Sequence, residues 1–304
     1  MEMVDVLIIG AGPAGLTAAL YALRAGLRVT ILEKSIYGGQ VSITDVVENY
    51  PGIESISGIE LAKSMYEQVT KLCCKIIFET ARAVELNSDV KKVRTASKEL
   101  EAKTLIIANG LKRRTLGCKG EEEFSGRGVS YCATCDGNLY KDKDVIIVGG
   151  GNTALEDALY LSNICKSVKL VVRKNLFRGE KYLIDSVHKK DNIECLMESK
   201  IAEIKGERAV KSVVIRTGAD KIKELEVSGV FIAIGYEPDN KIYEGQLDLD
   251  KNGYFISNEE CKTNIEGVYV AGDCRLKPLR QIVTAVSDGA IAGTDAIRFV
   301  LSKN

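Results

Sequence analysis

The chain has one histidine, no net charge and no second Cys-x-x-Cys pair, and each shortage closes off a class of function. The lone imidazole, His188, lies in the charged run SVHKKDN. It excludes most Ser-His-Asp triads and most histidine-bearing metal sites, and reads as a solvated surface residue. Lys plus Arg is 42 and Asp plus Glu is 42, so no overall field draws the protein to nucleic acid or to an anionic membrane. A partner must be recognised locally. Low-complexity tracts and long linkers are absent as well. The longest uncharged run, Val6 to Leu23, is broken by Gly10, Gly12, Pro13 and Gly15 and follows an acidic start, MEMVD. That argues against a membrane span or a secretion signal and for the cytoplasm.

What is present is enough for two domains: 304 residues, 45% of them apolar. The nine cysteines are odd in number and scattered through apolar segments, unlike a secreted disulfide framework. Most are expected to be buried structural thiols.

The same pattern occurs twice. VDVLIIGAGPAGLTAALYALRAGLRVTILEK (4–34) and KDVIIVGGGNTALEDALYLSNICKSVKLVVRK (143–174) each run as apolar strand, glycine turn, amphipathic helix, apolar strand. Each predicts a βαβ unit in a parallel sheet covered on both faces, and two such units imply two nucleotide-binding domains. Further buried strands are predicted at KTLIIANG (103–110), GVFIAIG (229–235) and GVYVAGD (267–273), the last delivering Asp273 at its tip. The segment between Lys75 and Thr104 alternates like antiparallel strands over a sheet edge.

The first loop, Gly10-Ala11-Gly12-Pro13-Ala14-Gly15, fits G-x-G-x-x-G between strand and helix. Gly10 permits the turn, Gly12 lets a pyrophosphate approach, and Gly15 brings helix and strand together. Glu33, eighteen residues past Gly15, is placed for the hydroxyls of an adenosine ribose. A plain glycine turn is the alternative. The second loop, Gly149-Gly150-Gly151-Asn152-Thr153-Ala154, fits the variant ending in alanine, and its second strand leads into Arg173, Lys174 and Arg178 rather than an acid. Cations there indicate a 2′-phosphate, hence NADP rather than NAD, against a solvated basic edge.

In YCATCDG (131–137), Cys132 and Cys135 precede Asp136. A zinc site would need ligands that no second C-x-x-C or C-x-x-H supplies, and buried structural thiols are more often flanked by apolar residues than by Asp-Gly. A redox disulfide fits better than either. Two intervening residues let the sulfurs meet, a turn or helix start favours one thiolate, and Asp136 can manage the thiol protons.

The run GRGVSYCATCDG (126–137), with GAGPAGLTAALYALR, GGQ, ENYPG, GGGNTALEDALYLS, FRGEKYLI and GVYVAGDC…LRQIVTAVSDGAIA, resembles the low-molecular-weight bacterial thioredoxin reductases over essentially the whole chain. The resemblance implies an α/β fold of two Rossmann-like domains (FAD/NAD(P)-binding, three-layer ββα), the second inserted in the first. The boundaries it suggests are 1–112 with 243–304 for FAD, and 113–242 for the pyridine-nucleotide-type domain carrying the Cys-x-x-Cys pair. It also implies a homodimer, with thioredoxin as the protein substrate. Gly10, Gly12, Pro13, Ala14, Gly15, Glu33, Gly39, Gln40, Asn49, Asp273, Arg280, Gln281 and Ile282 fall where the family binds FAD. Gly149, Gly151, Asn152, Thr153, Ala154, Arg173, Lys174 and Arg178 fall where it binds NADP. Cys135 matches the flavin-facing thiol, Cys132 the interchange thiol, and Asp136 the acid. Disulfide and nicotinamide would need the same flavin, so a rotation between domains, hinged near 110–117 and 235–245, is expected.

One departure bears on the electron donor. Where NADPH-dependent members carry His-Arg-Arg-x-x-x-Arg, this chain has Val172-Arg173-Lys174-Asn175-Leu176-Phe177-Arg178. A lost charge-assisted bond weakens a cofactor roughly ten- to hundredfold. The clamp therefore resembles that of the ferredoxin-dependent flavin thioredoxin reductases, and a ferredoxin-type donor is the expectation, with NADPH the runner-up. A flavin disulfide oxidase and a non-catalytic nucleotide sensor are the readings from other classes.

Overall fold

A computed structural model describes residues 3–44, 46–218 and 221–303. The chain divides into two compact units, Met1–Lys112 with Glu237–Asn304, and Arg113–Tyr236. The discontinuous unit begins with β1 (Val4–Ile9), α1 (Pro13–Arg24), β2 (Val29–Glu33), α2 (Gly58–Thr70), β3 (Lys75–Phe78), β4 (Ala83–Glu85), β5 (Lys91–Arg94) and β6 (Glu99–Ile107). The inserted unit supplies β7 (Val129–Ser130), α3 (Ala133–Asp136), β8 (Asp144–Val148), α4 (Asn152–Ser162), β9 (Ser167–Val171), α5 (Lys181–His188), β10 (Ile193–Leu196), β11 (Ser199–Gly206), β12 (Val210–Thr217), β13 (Lys221–Glu226) and β14 (Gly229–Ile232). The chain then returns to the first unit for β15 (Val268–Val270) and α6 (Ile282–Ser302).

In the discontinuous unit the strand order is β3-β2-β1-β6-β5-β4, with β15 beside the second half of β6. β3, β2, β1, β6 and β15 are mutually parallel; β4 and β5 turn back antiparallel. The antiparallel reading of residues 75–104 therefore fails for Lys75–Phe78, where Ile76 pairs in parallel with Ile31. A four-residue apolar run carries no direction of its own; the crossover helix α2 ahead of it sets the sense. The inserted unit has an all-parallel sheet, β7-β14-β8-β9-β10, and a separate antiparallel meander, β11-β12-β13.

Both first strands are buried on both faces, which is why they read as unbroken apolar runs. Val6 and Ile8 join the core beneath α1 and α6, while Leu7 and Ile9 join the opposite core with Tyr243 and Phe255. In the inserted unit Val145 and Ile147 pack with α4, and Ile146 and Val148 pack toward the meander. Each such side chain contributes about 1.5–3 kcal/mol on burial. α1 and α6 approach almost backbone to backbone: a Cβ on Gly289 would lie 2.2 Å from the Ala14 carbonyl oxygen, and one on Gly293 would lie 2.9 Å from that of Ala18.

The cysteines depart from expectation. Cys165, Cys261 and Cys274 are buried, but Cys74, Cys118 and Cys195 are half-buried and Cys73 is exposed, in addition to the Cys132–Cys135 pair. Cys73 and Cys74 follow the end of α2, Cys118 lies in a loop and Cys195 on the edge strand β10, places where apolar neighbours in sequence do not close over the thiol. His188 is exposed at the end of α5, its ring edge against Phe177.

Candidate active site

The first glycine loop is built as the spacing requires. Gly10 has φ +107°, and a Cβ there would lie 2.3 Å from the Ala108 carbonyl oxygen at the end of β6. A Cβ on Gly15 would lie 1.9 Å from the Gly10 carbonyl oxygen, so this position holds helix and turn together. Around Gly12 nothing lies within 4 Å of an added Cβ. Gly12 caps α1 without a side-chain hydrogen bond, Pro13 opens the helix and Ala14 is buried, so the first-turn N–H groups are left for an anion. Glu33 ends β2 nearly buried, its Oε2 accepting from Ala11 N (2.7 Å) and its Oε1 from Ser35 N (2.9 Å). It therefore fixes the loop, and each carboxylate oxygen keeps a lone pair for a ribose hydroxyl.

Other predicted residues of this unit converge in pairs. A Cβ on Gly39 would be 3.6 Å from Gly12 Cα, placing the GGQ turn against the loop. Gln40 Nε2 reaches the Leu111 carbonyl oxygen at 3.5 Å. Asn49 Nδ2 donates to Gln281 Oε1 (3.1 Å), and Gln281 caps α6 in a capping box with Thr284, just before Ile282. Arg280 lies over the Tyr254 ring, 4.2 Å from its centre, and its Nε donates to the Asp273 carbonyl oxygen.

Asp273 follows β15, beside β6, and its Oδ1 is buried with no hydrogen-bond partner. Burial pushes its carboxyl up, against the pull of Lys277 and Arg280. A buried orphan acceptor at a strand tip, an open glycine and an uncapped helix start together fit the sugar hydroxyls and pyrophosphate of FAD.

Behind this turn lies a cluster that sequence reading missed. Asp288 Oδ2 accepts from Gly272 N (2.9 Å), Arg275 Nε (2.9 Å) and Lys277 Nζ (2.6 Å). Burial pushes the Asp288 carboxyl up, but the bonds from Arg275 and Lys277 outweigh it and hold it below the usual carboxylate range.

The second loop repeats the mechanics of the first. Gly149 has φ +154° and its Cβ would lie 2.3 Å from the Ala233 carbonyl oxygen; Gly151, the N-cap of α4, again has nothing within 4 Å. Ala154 is buried where the first loop has Gly15. Asn152 Oδ1 accepts from Glu180 N (2.8 Å), its Nδ2 donates to Glu180 Oε1 (2.9 Å), and Arg178 N donates to the Gly150 carbonyl oxygen (2.7 Å), drawing residues 178–180 across the loop. Arg173, Lys174, Arg178 and Thr153 are exposed. Among the described residues the three cations have no side-chain ion pair. Val172 is only 3% exposed and packs toward Gly150, whose added Cβ would meet Val172 Cγ1 at 2.9 Å. Farther along α4, burial and then the neighbouring Glu156 push the Asp157 carboxyl up to about 7.

Cys132 and Cys135 form a disulfide, with S–S 2.01 Å and Cα–Cα 5.3 Å. Cys132 caps the one-turn helix α3, and its Sγ accepts from Cys135 N at 3.2 Å, a contact that favours a thiolate on Cys132 once the pair is reduced. Ser130, 5% exposed, was not singled out in the sequence, yet its Oγ donates to Asp136 Oδ2 (2.6 Å) and accepts from Cys132 N (3.1 Å). The only sequence signal was a small polar residue at a buried strand end. Tyr131 is pinned on the other side, its OH donating to Glu121 Oε1 (2.9 Å), while Glu121 also accepts from Leu116 N and Gly117 N. Among the described residues no group of His, Cys, Asp or Glu is placed to hold a metal ion, and no helix is long and apolar enough to cross a membrane.

A family model described as pyridine nucleotide-disulphide oxidoreductase matches residues 4–289. A thioredoxin reductase of Peptoclostridium acidaminophilum is 40% identical over 304 residues, spanning 97% of this chain and 96% of the relative. The crystal structure of Lactococcus lactis thioredoxin reductase, in its FR conformation, is 38% identical over 98% of this chain and 99% of that one, with a TM-score of 0.87. A ferredoxin-flavin thioredoxin reductase from Clostridium acetobutylicum is 31% identical over 99% of each chain, with a TM-score of 0.56.

Proposed function

Because the chain belongs to the pyridine nucleotide-disulphide oxidoreductases, and among them to the low-molecular-weight bacterial thioredoxin reductases, we propose that it moves electrons from NADPH, by way of FAD and Cys132–Cys135, to the disulfide of thioredoxin. The observation that carries the donor is the intact second loop: Gly151 is open, and Arg173, Lys174 and Arg178 are exposed, with no ion-pair partner among the described residues. The eroded clamp favoured ferredoxin on sequence grounds. The Peptoclostridium acidaminophilum and Lactococcus lactis thioredoxin reductases are 40% and 38% identical to the chain, whereas the ferredoxin-flavin enzyme is 31% identical, so support shifts to the pyridine nucleotide.

FAD, held at the first loop by the Gly12 turn, Glu33 and Asp273, would supply two-electron transfer between a reduced nicotinamide and a disulfide. The protein's part begins with the Cys132–Cys135 bond, which accepts two electrons and two protons to give the dithiol. Cys132, stabilised as thiolate by Cys135 N–H, attacks one sulfur of the thioredoxin disulfide and forms a mixed disulfide, and the other thioredoxin sulfur leaves as a thiolate. Cys135 then attacks Cys132 Sγ, which frees the dithiol of thioredoxin and restores the intramolecular bond. Asp136, oriented by Ser130, moves protons to and from the departing sulfurs. The proposal includes the homodimer, the cytoplasmic setting and a turn of one unit against the other about the two crossings, at Leu111–Arg113 and Tyr236–Pro238.

The test is an anaerobic titration of the oxidised flavoprotein with NADPH, followed by flavin bleaching, with reduced ferredoxin in parallel. Bleaching near stoichiometric NADPH and onward reduction of thioredoxin is the expected result. Bleaching by ferredoxin alone would overturn the donor assignment.

A further inference from the structure

Asp273 is not the only orphan acceptor at the first nucleotide loop. Asn109, at the tip of β6, has a buried Oδ1 with no hydrogen-bond partner. Its backbone adjoins the loop: a Cβ on Gly10 would lie 3.1 Å from Asn109 Cα. The orientation of the amide is forced by its neighbour. Asn240, 3% exposed, donates Nδ2 to the carbonyl oxygens of Gly253 (2.9 Å) and Cys274 (3.3 Å), which leaves Asn240 Oδ1 to face Asn109. Asn109 must therefore present its NH2 there, at 3.0 Å from Asn240 Oδ1 and 3.1 Å from the Asp239 carbonyl oxygen, and turn its own oxygen the other way.

The fold does not require polarity at this position. In the inserted unit the corresponding strand reads Phe231-Ile232-Ala233-Ile234-Gly235 against Ile106-Ile107-Ala108-Asn109-Gly110, and Gly149 presses on Ala233 as Gly10 presses on Ala108. Isoleucine serves where asparagine stands in the first unit. A buried carbonyl oxygen left without a donor costs free energy, and such a group in a native structure calls for a partner. Both orphans, Asn109 Oδ1 and Asp273 Oδ1, stand at the tips of the neighbouring strands β6 and β15, and Asn240 ties them through Asn109 Nδ2 and the carbonyl of Cys274.

We propose that Asn109 is a cofactor-positioning residue whose Oδ1 accepts a hydrogen bond from a sugar hydroxyl of FAD, making a second anchor beside Asp273. This rests on the reading that FAD occupies the first loop. The amide then links the cofactor to Asp239 and Asn240, just past the second crossing between the units.

The experiment uses the full chain stripped of flavin and reconstituted with FAD, or with FAD analogues each lacking one ribose or ribityl hydroxyl, reading dissociation constants by fluorescence and the melting temperature of the apoprotein. Asn109→Ile, which copies the inserted unit, is expected to weaken FAD binding about three- to tenfold. One deoxy analogue should lose a similar factor with the wild-type chain and nothing further with the variant, the coupling expected of a direct contact. Asn109→Ala replaces the isoleucine variant should that one fail to fold. A lower apoprotein melting temperature with unchanged FAD affinity would make Asn109 purely structural and overturn the proposal, as would analogues that lose equally in both proteins. A wild-type chain that takes up no FAD would overturn the proposed function as well.

Discussion

The two glycine loops share their mechanics and differ in what surrounds them. In each, the first glycine is pressed against a neighbouring strand end and the glycine before the helix is open, so either could admit a pyrophosphate. The first loop has polar groups at its back: Glu33 accepts from Ala11 N, Asn109 adjoins Gly10, and Asn109 and Asp273 each keep a buried side-chain oxygen without a partner. The second is flanked by Val172, buried, and by three exposed cations. A resident cofactor needs many fixed contacts, whereas a substrate that must enter and leave on each turnover is served by an open cradle and mobile charges.

The largest effect should come from exchanging the last residue of each loop, Gly15 in the first and Ala154 in the second. Gly15→Ala drives a methyl onto the Gly10 carbonyl and should destabilise the discontinuous unit by about 3 kcal/mol or more, measured by denaturant unfolding. Ala154→Gly, the reciprocal change, should cost only about 1 kcal/mol. Equal costs would mean that the first loop admits a methyl at this position as readily as the second does.

Next is the clamp. Arg173→Ala and Arg178→Ala should each raise the KM for NADPH roughly tenfold or more, leave NADH turnover nearly unchanged and spare flavin content. A uniform loss with both nucleotides would mean that the cations serve the fold rather than a 2′-phosphate. Gly12→Ala and Gly151→Ala then separate the two ligands. Because neither methyl meets protein, apoprotein stability should hold, while the first substitution lowers FAD affinity and the second raises the NADPH KM, each about tenfold.

A last expected effect is on pH dependence. The Asp157 carboxyl, ordinarily at 3.8, is pushed up to about 7 in the folded chain, so the folded state holds a proton that the unfolded state has released. Its contribution to stability is therefore neutral below about pH 4 and becomes increasingly unfavourable as pH rises to about 7. Asp157→Asn should flatten that slope and stabilise the protein above neutrality by roughly 1–2 kcal/mol after allowing for solvent screening. A melting-temperature profile from pH 4 to 8 reads it directly.

Much of this was legible in the sequence because the signals are local. A βαβ unit announces itself through an apolar run, a glycine turn and a helical period within some thirty residues, and Cys-x-x-Cys-Asp lies within five. What escaped depends on pairings across long stretches of chain. Nothing near Lys75 says that its strand runs parallel to β2, and nothing near Asn109 names Asn240, 131 residues on. The Arg275–Lys277–Asp288 cluster looks in sequence like ordinary surface charge. The clamp, too, is more than its residue identities: Val172 lies buried against Gly150, while Arg173, Lys174 and Arg178 stay exposed, which is what supports the pyridine-nucleotide reading proposed above.

The near contact of α1 with α6 has a consequence for biosynthesis. The inserted unit has all of its chain once Tyr236 has been made, and can fold on the ribosome as an independent body. The first glycine loop precedes the inserted unit in the chain, but the helix behind that loop stays uncovered until Gly289 and Gly293, beyond the inserted unit, have emerged. The discontinuous unit is thus completed only after the inserted one, and flavin capture has to wait for it.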